Sequence, residues 1–266
     1  MKVLVACCNA GGALYSVDLL TKNVEMVLDQ ETRGICYLDG YYYMAHQLKP
    51  KGGIGKYDLN FNEVAFYQDA SEWHGIFTDG QMLYVTLPTL DLLYVFDRDM
   101  NLHGEIKIGP GEKETRCHIN DGVINGAYLY LTMFRDKIGS TSYGHSKDGK
   151  AKRVRLDQAK TDPAETETVV GGLEQPHSPY WARDEFYVCN SQHGKVLRNG
   201  GVFCDLGDVY TRGLLMVEND LLVGNSVFRD NIDRGRCGVA VVNENGQEQQ
   251  FISLPSNEVY AIIHQR

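Results

Sequence analysis

The 266-residue sequence predicts an all-β fold, a six-bladed β-propeller with four-stranded blades, as a single domain over 1–266. Three observations predict it. A hairpin phrase of constant register recurs along the chain, two further strand segments follow each copy, and the two termini supply the missing halves of one last copy. Six units in a chain of this length fall within the ~40–50 residues of a propeller repeat.

The elements follow in order. Val3 to Cys8 reads as a second strand with no first strand before it, followed by Leu14–Asp18 and Val24–Leu28. Arg33-Gly34-Ile35 then leads through Asp39-Gly40 into Tyr42–Met44, and Ile54–Asp58 and Val64–Tyr67 complete that blade. His74-Gly75-Ile76 leads through Asp79-Gly80 into Leu83–Val85, with Leu93–Asp97 and Glu105–Ile108 after it. Asn120-Asp121-Gly122 leads through Asn125-Gly126 into Leu129–Leu131, and the more degenerate Arg153–Leu156 and Glu167–Val170 follow. His177-Ser178-Pro179 leads into Phe186–Val188, Lys195–Leu197 and Val202–Cys204. Arg212-Gly213-Leu214 leads into Leu221–Val223, Val239–Val242 and Gln249–Leu254. Glu258 to Ile263 is a first strand with no second strand after it, so the last blade closes by pairing the C-terminal strand with the N-terminal one. In five copies the opening polar residue stands the same number of positions before the second strand. Such constancy marks a hairpin, because a one-residue slip sends every core side chain to the wrong face. No Trp-Asp pair ends a strand, which disfavours the seven-bladed tryptophan-aspartate type.

Composition narrows the function classes. The hydrophobic fraction is 43%, enough for a sizeable core. A net charge of −9 argues against nucleic acid or an acidic membrane surface as partner. No stretch approaches the ~18 apolar residues of a membrane span, and Met1 to Asn9 is too short for a secretory signal. Seven cysteines without C-x-x-C spacing read as a reduced, cytoplasmic protein. Cys7 and Cys8 read as packing residues. The sequence leaves the oligomeric state open.

In a propeller the first strands line the central channel, so the residues opening them converge on one axis. Here they are Arg33, His74, Asn120, His177, Arg212 and Glu258. His118 joins them by the two-residue strand period. The ends of the second strands bring His46, Arg135, Asn190, His193, Asn225 and Arg229 to the same mouth. Charged groups are costly to desolvate unless paired or wet, so this ring is expected to face a polar pocket. Arg33 and Arg212, in opposed halves, each suit a carboxylate, phosphate or sulfate. His46, Asn120, Arg135, Asn190, His193, Asn225 and Arg229 are further substrate-binding candidates. His74, His118, His177 and Glu258 are the candidates for general acid and base, or alternatively for holding one divalent metal. No H-E-x-x-H spacing supports the metal, and a bridge from Glu258 to an arginine that only fixes blade register is the competing reading. No nucleotide cofactor is expected, since Gly109-Pro110-Gly111 lacks a strand-to-helix setting. The polar insertion Lys137 to Lys150, with His145, is read as a mouth lid or a surface loop.

Gln175-Pro176-His177-Ser178-Pro179 with Tyr187–Ser191, His118-Ile119-Asn120-Asp121 and Thr211-Arg212-Gly213-Leu214 resembles a bacterial six-bladed propeller family. That family carries N-D, P-H-S-P and R-G-L phrases in successive blades and is without an assigned reaction. The resemblance implies the fold and the weight of those positions. More loosely, the architecture is similar to the lactonase and virginiamycin B lyase propellers, whose channel His and acidic residues, often with a divalent metal, carry out hydrolysis or elimination. Two ring arginines and one glutamate depart from a carboxylate-rich metal cup. The expected function is therefore a lyase, epimerase or hydrolase acting on a small anionic metabolite such as a sugar acid. The alternative is a non-catalytic propeller that binds a protein or glycan through exposed aromatics, with Tyr41 to Tyr43, Tyr143 and Phe228 as candidates.

Overall fold

A computed structural model describes residues 1–47, 52–69, 72–109, 117–135, 147–159 and 163–266. Chain order begins inside the last blade, with β1 (Lys2–Cys8), β2 (Leu14–Asp18) and β3 (Val24–Leu28). Blade one holds β4 (Ile35–Leu38), β5 (Tyr41–His46), β6 (Gly52–Tyr57) and β7 (Glu63–Asp69). Blade two holds β8 (Ile76–Thr78), β9 (Leu83–Leu87), β10 (Leu92–Phe96) and β11 (Leu102–Lys107). Blade three holds β12 (Ile119–Asn125), β13 (Tyr128–Met133), β14 (Gly149–Arg155) and β15 (Glu167–Leu173). Blade four holds β16 (Pro176–Ala182), β17 (Glu185–Asn190), β18 (Lys195–Arg198) and β19 (Gly201–Asp205). Blade five holds β20 (Tyr210–Val217), β21 (Asp220–Ser226), β22 (Gly238–Val242) and β23 (Glu248–Ser253). Finally β24 (Glu258–His264) pairs antiparallel with β1, Val3 opposite His264 and Cys8 opposite Glu258, giving blade six the order β24-β1-β2-β3.

Burial follows position within the blade. The second strands are sandwiched between neighbouring blades, so β9 is buried at every residue and β21 at all but its first. The fourth strands face solvent, and β11 is exposed over its first four residues. Between adjacent blades lie six apolar clusters among the described residues, one for each interface. One joins Tyr43, Ile54 and Cys36 of blade one to Trp73, Leu83 and Phe96 of blade two, and another joins Val5 and Val17 of blade six to Leu222 and Val239 of blade five.

The first strands carry a feature that hydrophobic alternation does not reveal. The register shifts by one residue beside each opening residue: at Asn120, after His177, after Arg212 and at Tyr260. In blade one the Arg33 N–H donates to the Ala45 carbonyl while the Ala45 N–H donates to that of Gly34, and His74, Gly75 and Thr86 repeat the pattern in blade two. A β-bulge adds one residue, turns the side chain beside it and bends the strand. Six such bulges turn the openers toward the axis while the rest of each strand keeps its core register. Glycines follow three openers because first strands approach one another there. A Cβ on Gly34 would lie 2.5 Å from the Ile76 backbone nitrogen, and Gly213, at φ 68°, abuts Ala261 and Ile262.

Candidate functional site

The openers do converge, and they sort into two buried charge clusters. In the first, Arg33 Nη1 lies 3.1 Å from Glu72 Oε1 and Arg33 Nε 3.6 Å from Glu31 Oε1. The same guanidinium donates to His74 Nε2, which also faces Glu72 Oε1 at 3.1 Å. His74 Nδ1 is 2.8 Å from the Tyr260 hydroxyl. Both nitrogens of His74 are thus engaged, and burial drives its imidazole down to about 4 against the pull of Glu72. Tyr260 reaches across the axis, its ring edge-on to His74 at 5.7 Å and to His177 at 6.3 Å.

The second cluster centres on Glu258, which is 3% exposed. Arg212 donates to Glu258 Oε1, and Arg229 grips both carboxylate oxygens, Nη2 to Oε1 at 2.6 Å and Nε to Oε2 at 3.0 Å. Asn9, just past the end of the N-terminal strand, adds a third donor. Burial alone would raise the Glu258 carboxyl, but Arg212 and Arg229 outweigh it and hold it at about 2. Arg212 lies against the Tyr210 and Tyr260 rings, its guanidinium carbon 4.7 and 5.1 Å from their centroids.

A cavity of about 350 Å³ opens beside this cluster, lined by His74, His118, Asn120, Arg212, Arg229 and Glu258 among the expected residues. Its other walls are Phe134, Gln175, Gln192, Tyr210, Val227, Phe228 and Asp230. His118 is held with its backbone at φ 57°, in the left-handed region that costs a residue with a Cβ of order 1 kcal/mol. The buried Asp91 carboxylate secures this, accepting from the N–H groups of Cys117 at 2.6 Å and His118 at 2.8 Å. The His118 ring stacks on Phe134 at 4.7 Å. His177 stands just behind the wall, 5.2 Å from Phe134 and 5.6 Å from Tyr210 by ring centroids. Its Nδ1 is 3.0 Å from both the Gln175 carbonyl oxygen and Ser191 Oγ. Because the carbonyl only accepts, the proton sits on Nδ1 and Nε2 carries a lone pair. Burial keeps this imidazole neutral.

The remaining expected residues lie elsewhere. Arg33 is drawn into its carboxylates behind the cavity. His46 is fully buried inside blade one, between the Glu31 carbonyl at 2.9 Å and the Tyr57 hydroxyl at 3.0 Å. Asn190 caps the chain turn by accepting from the Glu174 N–H at 2.8 Å, and His193 lies beyond the end of β17, in a 3₁₀ turn (Ser191–His193), paired with Glu174 at 3.1 Å. Arg135 and Asn225 are buried but do not line the cavity. Residues 137–146 of the insertion, His145 and Tyr143 included, lie outside the described residues. Tyr42, Tyr43 and Phe228 are buried, so these three do not form an exposed aromatic face.

The donor set does not fit a divalent metal. No three His, Cys, Asp or Glu side chains among the described residues are grouped to hold one. Glu258 is committed to two guanidiniums, whose charge opposes a cation, and His74 has no nitrogen to spare.

Sequence reasoning missed Gln175, Tyr210 and Phe134, and it placed Phe228 on an exposed aromatic face where the structure puts it in the cavity wall. The two-residue period that located His118 before Asn120 also points to Gln175 before His177 and Tyr210 before Arg212. Applied in every blade, it would have found both. Phe134 and Phe228 lie on the stretches just past the second strands, where nothing local marks them.

No protein-family model matches the sequence, and no curated protein matches it significantly. Solved structures do resemble it. A chain of the nidogen/laminin complex is 13% identical over 98% of this chain and 97% of its own, with a TM-score of 0.68. The calcium-binding protein regucalcin from Agrobacterium tumefaciens is 12% identical over 86% and 76%, TM-score 0.63. Virginiamycin B lyase from Staphylococcus aureus is 9% identical over 85% and 70%, TM-score 0.53. At such identity the likeness is one of fold. The protein is a six-bladed β-propeller with a charged, aromatic-walled cavity on its axis. No helix among the described residues is long and apolar enough to cross a membrane.

Proposed function

We propose that the protein is an enzyme of small anionic metabolites that moves a proton at the carbon beside a carboxylate. The observation carrying this reading is the Arg212–Glu258–Arg229 arrangement on the cavity wall: two guanidiniums share one buried carboxylate, leaving one positive charge over within the trio, with the exposed Asp230 on the same cavity. The substrate carboxylate takes that charge. Arg229, with 60% of its side chain exposed, is free to turn toward it. His118, positioned by Asp91 and Phe134, takes the Cα proton, and the electron pair passes to the carboxylate as an enediolate held by the arginines. Expulsion of a β-substituent gives elimination, and return of a proton to the other face gives epimerisation. The lyase and the nidogen/laminin chain show that this fold serves both catalysis and binding, so fold alone does not decide. Seven free cysteines support a reducing, cytoplasmic setting.

The test is proton exchange. Wild-type protein is incubated in D₂O with carboxylates of three to six carbons, and loss of the Cα–H signal is followed by NMR. Exchange with at least one carboxylate is expected, falling about 100-fold or more in His118→Gln. Absence of exchange with every carboxylate, or equal exchange in His118→Gln, overturns the reading. Elemental analysis of the purified protein is expected to find no stoichiometric divalent metal.

A further inference from the structure

Of the buried polar atoms without a hydrogen-bond partner among the described residues, three belong to residues that line the cavity or pack against its wall: Asn120 Oδ1, His177 Nε2 and Arg212 Nε. Their residues are 1%, 1% and 4% exposed. Asn120 and Arg212 line the cavity, and His177 packs against its walls Phe134 and Tyr210. Leaving such a group unsatisfied is costly, so their chemistry describes what the site is built to receive. Asn120 Nδ2 is committed to the His118 carbonyl at 3.2 Å, so its oxygen is the end left to accept. His177 Nε2 accepts as well, since the Nδ1 proton is fixed by the Gln175 carbonyl. Arg212 Nε donates.

An acceptor and a donor on the lining residues, with a further acceptor behind the wall, call for a ligand group that gives a proton and takes one. Ammonium groups would serve the acceptors but not the donor. A hydroxyl does both. We propose that the ligand is a hydroxylated carboxylate: its carboxylate meets Arg212 and Arg229, and its hydroxyls donate to Asn120 Oδ1, one of them accepting from Arg212 Nε. The carbon skeleton between these groups lies against Phe134, Tyr210 and Phe228. The inference rests on the anion-binding reading above and adds to it the demand for hydroxyl protons.

A site whose buried groups expect a hydroxyl rejects the analogue lacking it by far more than a purely apolar pocket rejects a shorter chain. Binding to wild-type protein is therefore measured by calorimetry for glycerate, threonate and gluconate, each beside its deoxy partner propionate, butyrate or hexanoate, with glucitol as the uncharged control. At least one hydroxylated carboxylate is expected to bind about 100-fold more tightly than its deoxy partner, and glucitol more weakly than gluconate. If a carboxylate binds but its deoxy partner binds as well, water satisfies the buried groups in place of hydroxyls, and the inference fails while the anion reading stands. If no carboxylate binds at 10 mM (about −3 kcal/mol or weaker), or glucitol equals gluconate, both fail. Asn120→Leu should reduce the hydroxyl preference to below about threefold while keeping deoxy binding. A preference unchanged in that variant overturns the assignment to Asn120, and should it not fold, the wild-type pairs decide.

Discussion

At the scale of single residues, Glu258 is where the charges of blades five and six meet, beside Asn9 just past the N-terminal strand. Its two arginines are chemically alike and energetically different. Arg212 is buried against Tyr210 and Tyr260, whereas Arg229 projects toward solvent. Arg212→Ala is expected to lower unfolding stability by about 1–3 kcal/mol, because it removes a buried charge-assisted hydrogen bond and leaves a gap beside the Tyr210 and Tyr260 rings, while Arg229 still pairs with Glu258. Arg229→Ala should cost about 1 kcal/mol or less. Urea unfolding midpoints check the order, and a larger loss in Arg229→Ala contradicts it. The second residue-scale prediction concerns Asp121, which burial pushes up to about 7 despite the bond it accepts from the Gly122 N–H at 2.9 Å. A folded pKa above the unfolded one means that the native state binds more protons between about 4 and 7. Its contribution is present below the unfolded value and lost as pH rises through 7. Asp121→Asn should therefore match wild type in melting temperature near pH 4 and exceed it at pH 8. His46, driven by burial down to about 4, acts in the opposite sense: stability tied to it is full above pH 6.5 and declines as pH falls toward 4. Equal melting differences at pH 4 and pH 8 would contradict the Asp121 assignment.

At the scale of elements, the repeated register was legible from residue order because side-chain direction in a strand follows from counting alone. Hence the convergence of Arg33, His74, Asn120, His177, Arg212 and Glu258 could be read from the sequence. What could not be read is which charges neutralise one another. Arg33 and Arg212 occupy equivalent positions in their blades, yet Arg33 finds Glu72 and Glu31 and leaves the cavity wall, while Arg212 finds Glu258 and stays. Such choices depend on side-chain reach across the axis, which position in a repeat does not encode. The bulges were equally hidden, since an added residue at a strand start leaves the count to the second strand unchanged when every blade has it. Gly213 offers a test. At φ 68°, a Cβ there would be strained and 3.1 Å from Ile262 Cγ1. Gly213→Ala is expected to cost about 1–2 kcal/mol and to weaken anion binding by displacing the neighbouring Arg212. Wild-type stability in a chemical denaturation curve would show that the bulge needs no glycine.

At the scale of the whole molecule, the ring is sealed by one strand pair between chain ends. β24 covers the edge of β1 and packs against β20 and β21. Deleting residues 258–266 exposes the hydrogen-bonding edge of a strand that is otherwise buried from Val3 to Cys8. That truncated protein is expected to aggregate or elute as higher oligomers in size-exclusion chromatography, and a well-folded monomer would show the seal to be dispensable.

The same terminal ribbon brings Glu258 and Tyr260, and Asn9 arrives from the opposite end of the chain. Until the circle joins, Arg212 and Arg229 lack the Glu258 carboxylate and Arg212 lacks the Tyr260 ring it lies against. On the proposed anion-binding reading, a bound anion would act as a rivet across the join: occupancy would favour the shut ring by mass action, and ligand capture would report whether the circle is complete.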